Sequence, residues 1–204
     1  MLSRPAWAWL YAIVLTVLAA AAVRALIRAH EDRMRLSTGR AEWIWYTKHV
    51  PEPRPLAFVA TRDFELVKAP ERALAKLFVD RDHVLYVNGS RAGSGSQRPG
   101  DSLALYEVAP LLKPGINRVA IAAASPTGIG GILFSLDVFG MGRNAVVSDD
   151  RWRVDLTPEA VASGARYRPA VWGRPPQYPW RYPRMPEPRE LENFKSQFSN
   201  KNFP

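Results

Sequence analysis

The sequence predicts an all-β fold, an antiparallel β-sandwich, with one apolar helix before it and a tail rich in proline and aromatic residues after it. Across residues 73–139, short runs of alternating apolar residues are separated by strong turn signals. Asn88-Gly89 is one such signal, because both residues tolerate the positive φ of a two-residue hairpin turn. Lys113-Pro114-Gly115 is a second turn signal. Together these features indicate short antiparallel strands joined by tight turns.

The alternation is clearest over residues 132–139, where four apolar residues share one face while Ser135 and Asp137 face the other way. Similar runs continue along the chain, so we expect strands at 41–46, 58–66, 73–79, 83–87, 103–108, 119–124, 132–139 and 151–154. Residues 80–82 are expected to form a solvated turn, and 93–98 a flexible hairpin connection.

The first strand carries two tryptophans, Trp43 and Trp45, at a spacing of two. This spacing places both side chains on one face of a strand. Core packing is the commoner reason for such a pair, and a platform on which a sugar stacks is the alternative.

An uncharged stretch at residues 5–23 predicts a helix that crosses a membrane. Its 19 residues would span about 28 Å at ~1.5 Å each, close to the hydrocarbon thickness of a bilayer. The expected interface residues are Trp7, Trp9, Tyr11, Arg24 and Arg28. A cleaved signal peptide is the alternative, since residues 20–22 are all alanine. We favour an uncleaved anchor with a linker, over residues 1–40, in which Gly39 ends the helix.

Four motifs in order resemble one family of domains. They are WIW (43–45), LYVNG (85–89), YEVAPLLKPGINRVAI (106–121) and SDDRWRV (148–154). The sequence over about 41–183 resembles the galactose-binding-domain-like jelly roll, in particular the accessory domain at the N-terminus of bacterial α-L-rhamnosidases and related glycoside hydrolases. The resemblance implies a jelly-roll β-sandwich and raises sugar binding as a function. In contrast to those enzymes, we expect this protein to carry no catalytic barrel after the domain.

Two observations indicate opposite sides of the membrane for the domain. Arginines are more numerous after the apolar stretch than before it, which favours a cytoplasmic domain under the positive-inside rule. The resemblance favours the outside, where sugar-binding modules work. We expect a single-pass protein of the bacterial inner membrane with a periplasmic domain.

Catalysis and metal binding find little support in the sequence. The chain has no cysteine, which excludes disulfides and thiolate metal sites. His30, His49 and His83 stand in unrelated contexts without the spacing of a metal pair. Asp149 and Asp150 lie in a turn of the resembling domain rather than in a glycosidase pair. We expect no enzyme activity and no cofactor. The net charge of +9 indicates a basic surface, and nucleic acid is not expected as a partner.

The tail carries the predicted partner contacts. Tyr178, Trp180 and Tyr182 belong to the end of the domain, and the extended tail at 184–204 has Leu191, Phe194 and Phe198 at the spacing of one helix face. The sequence therefore predicts a non-catalytic accessory or scaffolding subunit of a larger membrane complex, respiratory or photosynthetic in kind. Its expected partners are other subunits and the lipid bilayer. The alternative is a membrane-anchored periplasmic or cell-surface carbohydrate-binding protein.

Overall fold

The computed structural model describes residues 4–140 and 142–187. The chain divides into two units, Met1–Ser37 and Thr38–Pro204. The first contains a helix, α1 (Arg4–Thr38). Within it, Trp7–Leu26 has 20 residues and a mean hydropathy of 2.0, which is the length and composition of a membrane span or of a signal sequence. Gly39, at φ 60°, follows the helix, as predicted.

The described residues of the second unit form eleven strands. Their bounds are β1 (Trp43–Trp45), β2 (Leu56–Leu66), β3 (Ala73–Val79), β4 (Arg81–Val87), β5 (Ser90–Gln97), β6 (Ala104–Glu107), β7 (Gly115–Ser125), β8 (Ile132–Val138), β9 (Gly142–Val147), β10 (Arg153–Asp155) and β11 (Ala170–Gly173). A short helix, α2 (Ala160–Ser163), lies between the last two strands, and a 3₁₀ turn (Ala109–Leu111) joins β6 to β7.

These strands form two sheets. One has six strands in the order β11-β1-β8-β3-β6, with β9 also paired to β8; the other has five in the order β10-β2-β7-β4-β5. The pairs between named strands are antiparallel. The predicted antiparallel sandwich and the apolar N-terminal helix are thus confirmed.

The core lies between the inner faces of the two sheets. The face of β8 that was predicted to be apolar contributes Phe134 to the core. The ring centroid of Phe134 lies 5.3 Å from that of Trp152. Trp45 meets Phe58 edge-on, with centroids 4.8 Å apart. Aromatic residues bury large apolar areas, and edge-on pairs add about 0.5–1.5 kcal/mol beyond the area term.

Each sheet also has its outer face partly covered. On the six-stranded sheet, a second buried cluster contains Trp43, Phe78, Leu133 and Trp180. On the five-stranded sheet, α2 packs Ala160 against β2 and β7. Arg118 fixes this helix, because its guanidinium binds both carboxylate oxygens of Asp63 and donates to the carbonyl of residue 162.

The hairpin turn at Asn88-Gly89 has the predicted geometry, with φ values of 52° and 82°. Asn88 does more than turn the chain. Its amide nitrogen donates to the Leu111 carbonyl and to Asn117 Oδ1, and its Oδ1 accepts from the Arg118 backbone N–H. The side chain therefore ties the β4–β5 turn to the segment that leads into β7.

Three local predictions were wrong. Trp43 and Trp45 do not share a face, because Trp45 packs in the core between the sheets whereas Trp43 belongs to the cluster on the outer face. Residues 93–97 belong to strand β5 rather than to a flexible connection. Asp80 is buried, so the turn at 80–82 is not simply solvated.

Candidate functional site

The C-terminal part of the described chain, residues 174–187, lies against the outer face of the six-stranded sheet. We call it the closing segment. Trp180 anchors it and is only 4% exposed. Its ring stacks on Trp43 at 4.7 Å between centroids, and its indole N–H donates to Asp80 Oδ2 at 2.7 Å. Trp172 meets it edge-on at 6.1 Å. Stacking and a charge-assisted hydrogen bond together hold Trp180 in one orientation.

The backbone beneath Trp180 is shaped to receive it. A Cβ on Gly131 would lie 2.9 Å from atoms of both Trp43 and Trp180, so the two rings approach the main chain more closely than any larger residue allows. Arg81, next to Asp80, has a φ of 110°, which is strained for a residue with a side chain. Its guanidinium lies 3.0 Å from Asp80 Oδ1 without the alignment of a hydrogen bond.

The closing segment is also tied down through its backbone. The N–H of Leu103 donates to the carbonyl of Arg184 at 2.8 Å, and the N–H of Arg181 donates to the carbonyl of Gln177 at 2.6 Å. Its outward side carries exposed aromatic, sulfur and guanidinium groups: Tyr178, Tyr182 and Met185, with Arg174, Arg181 and Arg184. Tyr178 is 83% exposed and Tyr182 38% exposed. Arg184 lies 3.5 Å from Glu187.

A shallow pocket of about 140 Å³ lies near the start of β11. It is lined by Trp45, Thr47, Lys48, Val50, Ile129, Gly130 and Trp172. The Trp45 indole N–H donates to the Gly128 carbonyl at 2.8 Å. A Cβ on Gly130 would lie 2.6 Å from the Trp45 ring, so glycine is required for this packing.

One cation and one unsatisfied donor belong to the pocket lining. The Lys48 ammonium lies 5.7 Å from the Trp172 ring centroid, within the range of a cation–π contact. The Trp172 indole N–H is buried and has no hydrogen-bond acceptor among the described residues. No carboxylate is among the lining residues.

A buried polar pair lies inside the sandwich and belongs neither to the closing segment nor to the pocket lining. His83 Nε2 and the Tyr106 hydroxyl are 2.8 Å apart, and His83 is 3% exposed. Burial lowers the pKa of His83 to about 4, against a smaller opposing effect of Asp82. Burial also raises the pKa of Tyr106 to about 12. His83 Nδ1 has no hydrogen-bond partner. At neutral pH both groups are uncharged, which suits a packed interior better than catalysis.

The structure divides the predicted partner-binding residues. Tyr178 and Tyr182 are exposed, as a contact surface requires. Trp180 needs a correction, because its ring is buried in the domain's own outer cluster and is not available to a partner. Leu191, Phe194 and Phe198 lie outside the described residues.

The predicted interface residues Trp7, Trp9, Tyr11 and Arg24 are exposed on α1. The side chain of Arg28 lies outside the described part. Asp149 has a structural partner in Arg151, whose Nε and Nη2 both donate to Asp149 Oδ2 and whose backbone N–H donates to Oδ1. Within residues 4–140 and 142–187, no group of histidine and carboxylate side chains is arranged to hold a metal ion.

Sequence reasoning missed the pocket. Thr47, Lys48 and Val50 belong to a proline-rich loop without a motif, and Trp172 comes from a strand that was not predicted. Only Trp45 was singled out, and the structure gives it the predicted core packing as well as a place in the pocket wall. The other signal was the glycine-rich stretch at residues 128–131, because glycine allows a close approach of the backbone to aromatic rings.

The sandwich resembles several solved structures. No family model matches the chain, and no curated protein matches it. A lectin from Pleurotus ostreatus in complex with GalNAc superposes with a TM-score of 0.62 and 22% identity, over 73% of this chain and 48% of the lectin. The α-L-rhamnosidase of Streptomyces avermitilis, complexed with L-rhamnose, gives 0.60 and 18% over 70% of this chain and 16% of the enzyme.

A family 78 rhamnosidase of Bacillus sp. GL1 gives a TM-score of 0.61 at 19% identity, over 71% of this chain and 19% of the enzyme. The chain thus spans about half the length of the lectin and less than a fifth of either rhamnosidase. At these identities the likeness concerns the fold alone. The described part of the second unit accordingly has a jelly-roll sandwich fold, and it resembles the galactose-binding-like domains that the four sequence motifs predicted.

Proposed function

We propose that this protein is a membrane-anchored, non-catalytic accessory subunit whose sandwich holds a protein-binding surface on the closing segment. One observation carries the proposal: Trp180 fixes the closing segment to the domain, while Tyr178, Tyr182 and Met185 remain exposed beside three arginines. Tyrosine, methionine and arginine are enriched in protein interfaces. A segment that is already ordered loses less conformational entropy when a partner binds.

The apolar helix supports the first half of this proposal. Trp7–Leu26 would anchor the chain in a bilayer, and an anchored domain meets membrane partners at a high effective concentration. The proposal places the domain on the periplasmic side of a bacterial inner membrane. The buried state of His83 and Tyr106 supports the non-catalytic part, because neither group is accessible to a substrate.

The test uses the full-length protein, tagged and expressed in the membranes of its natural source. After extraction in a mild detergent, native electrophoresis measures the size of the particle that contains the protein. We expect a particle much larger than the 22.9 kDa chain. Replacing Tyr178 and Tyr182 by alanine should release the protein from it. Exposed interface anchors contribute about 2 kcal/mol or more each, or roughly 30-fold in affinity.

Tyr167 provides the matched control, since it is an exposed tyrosine outside the closing segment. The Tyr167→Ala variant should stay in the large particle. The proposal fails if the unmodified protein migrates as a single chain, or if the double variant stays assembled as fully as the control.

Carbohydrate binding is the second candidate function. The pocket favours it, because Trp172, Thr47 and Lys48 combine an aromatic surface with a hydroxyl and an ammonium donor at a solvent-facing site. The lectin in complex with GalNAc, about half of which superposes on this sandwich, also supports this candidate. Calorimetric titration with simple sugars tests this candidate independently of the assembly experiment.

A further inference from the structure

The charges that line the pocket at Trp172 limit the class of ligand that it can bind. Its lining includes the ammonium of Lys48 and no carboxylate. The loop that carries Lys48, residues 47–55, adds the cation Arg54 and a single acid, Glu52. Among the described residues Lys48 forms no ion pair, and its contact is with the face of the Trp172 indole. An ammonium held on an indole face is attracted by the ring and stays available to an anion in solvent.

The shape of the pocket limits the size of that anion. A volume of about 140 Å³ accommodates one ring or a short group in contact with the lining residues. Val50, Ile129 and Trp172 provide apolar contact above the buried Trp45, while Thr47 provides a hydroxyl. The complementary ligand has a compact body with an apolar face, hydroxyls at its edge and one negative charge.

We propose that this pocket binds an anionic sugar residue, a uronic acid, with its carboxylate on Lys48 and one face of its ring against Trp172. This proposal rests on the carbohydrate-binding candidate and adds the class of sugar. The pyranose ring supplies the apolar face, and one of its hydroxyls donates to Thr47 Oγ1, which also bonds the backbone of His49. A neutral hexose would satisfy the aromatic surface but leave the Lys48 ammonium without an anion, so it should bind more weakly.

The experiment is a calorimetric titration of the full-length protein in a detergent without a sugar headgroup, at low ionic strength. The probes are D-galacturonate and D-glucuronate, with D-galactose and D-glucose as neutral counterparts and acetate as a carboxylate without a sugar ring. We expect at least one uronate to bind tenfold or more tightly than its neutral counterpart. Added salt should weaken the uronate more than the neutral sugar.

Two variants and one control assign the binding to this pocket. Lys48→Gln should lower uronate affinity to that of the neutral sugar, because it removes the charge and keeps most of the side-chain length. Trp172→Ala should abolish binding of both sugars. Lys113→Gln should change nothing: Lys113 is exposed and precedes the start of β7, whereas the pocket lies beyond its end.

The outcomes distinguish the preference for an anionic sugar from carbohydrate binding itself. Equal binding of uronate and neutral sugar, unaffected by Lys48→Gln, would overturn the anionic preference and leave carbohydrate binding standing. Acetate that binds as tightly as the uronates would show that the site accepts a carboxylate without a ring, which also overturns the proposal. If no sugar binds to the folded protein, both the anionic preference and carbohydrate binding are overturned. The accessory-subunit proposal would be unaffected.

Discussion

Acid should destabilise this fold in a pH range where its carboxylates still retain their charge, and the cause is His83. The folded protein holds the pKa of this histidine at about 4, below its ordinary value of 6.5, because burial disfavours the imidazolium. A histidine whose pKa is lowered by folding stabilises the native state fully above its unfolded pKa. That contribution is lost progressively as the pH falls below 6.5, and the loss levels off below the folded pKa.

The magnitude follows from the two pKa values. Their difference of about 2.5 units corresponds to roughly 3 kcal/mol in total at ~1.36 kcal/mol per unit. Between about pH 7 and about pH 5 the unfolded state gains most of a proton and the folded state almost none, which gives a loss of about 2 kcal/mol. Asp155, whose pKa is lowered chiefly by its hydrogen bond with Arg166, loses its contribution only as the pH falls below 3.8, outside this window.

The assay is urea unfolding of the full-length protein in detergent, followed by tryptophan fluorescence at both pH values. His83→Gln removes the titration and keeps a group that can bind the Tyr106 hydroxyl. Its free energy of unfolding should fall by about 2 kcal/mol less than that of the unmodified protein between pH 7 and pH 5. The exposed His49 is the matched control, and His49→Gln should behave as the unmodified protein. Parallel losses in the unmodified protein and in His83→Gln would refute the reasoning.

Three further predictions concern packing and turns. Gly93→Ala should lower stability by about 1–3 kcal/mol in urea unfolding, because its Cβ would lie 2.2 Å from the Tyr106 ring; unchanged stability would mean that β5 moves away freely. Asn88→Val should cost at least about 2 kcal/mol, since it adds strain at positive φ and breaks three hydrogen bonds; a change under 0.5 kcal/mol would contradict the role of the turn. Trp180→Phe should speed limited proteolysis within the closing segment, because it deprives buried Asp80 of a donor; an unchanged cleavage rate would show that the backbone contacts suffice.

The fold was readable from sequence wherever local chemistry decides structure. The Asn88-Gly89 turn needs two residues that tolerate positive φ. The alternation in β8 records which face meets the core between the sheets, although most of its other face is buried as well. Both signals lie within a few residues and do not depend on distant partners. The existence and order of the central strands follow from such signals.

The missed features depend on distant contacts. Strand β5 reads SRAGSGSQ, which resembles a flexible linker. Yet Gly93 and Gly95 are needed because Tyr106 and His83 press against that strand, and neither neighbour can be inferred from the local sequence. Trp180 likewise looked like a partner anchor in a proline-rich tail. Its actual partners, Trp43 and Asp80, are 137 and 100 positions away in the chain.

The candidate pocket and the closing segment share one stretch of backbone, which explains why the two surfaces lie side by side. Gly130 touches the Trp45 ring at the pocket, and the next residue, Gly131, touches Trp43 and Trp180 beneath the closing segment. A side chain at either position would push an aromatic ring out of its place. Trp172 also belongs to both places, since it lines the pocket and meets Trp180 edge-on. Two consecutive glycines therefore allow one layer of tryptophans to form the wall of a pocket and the base of an exposed surface.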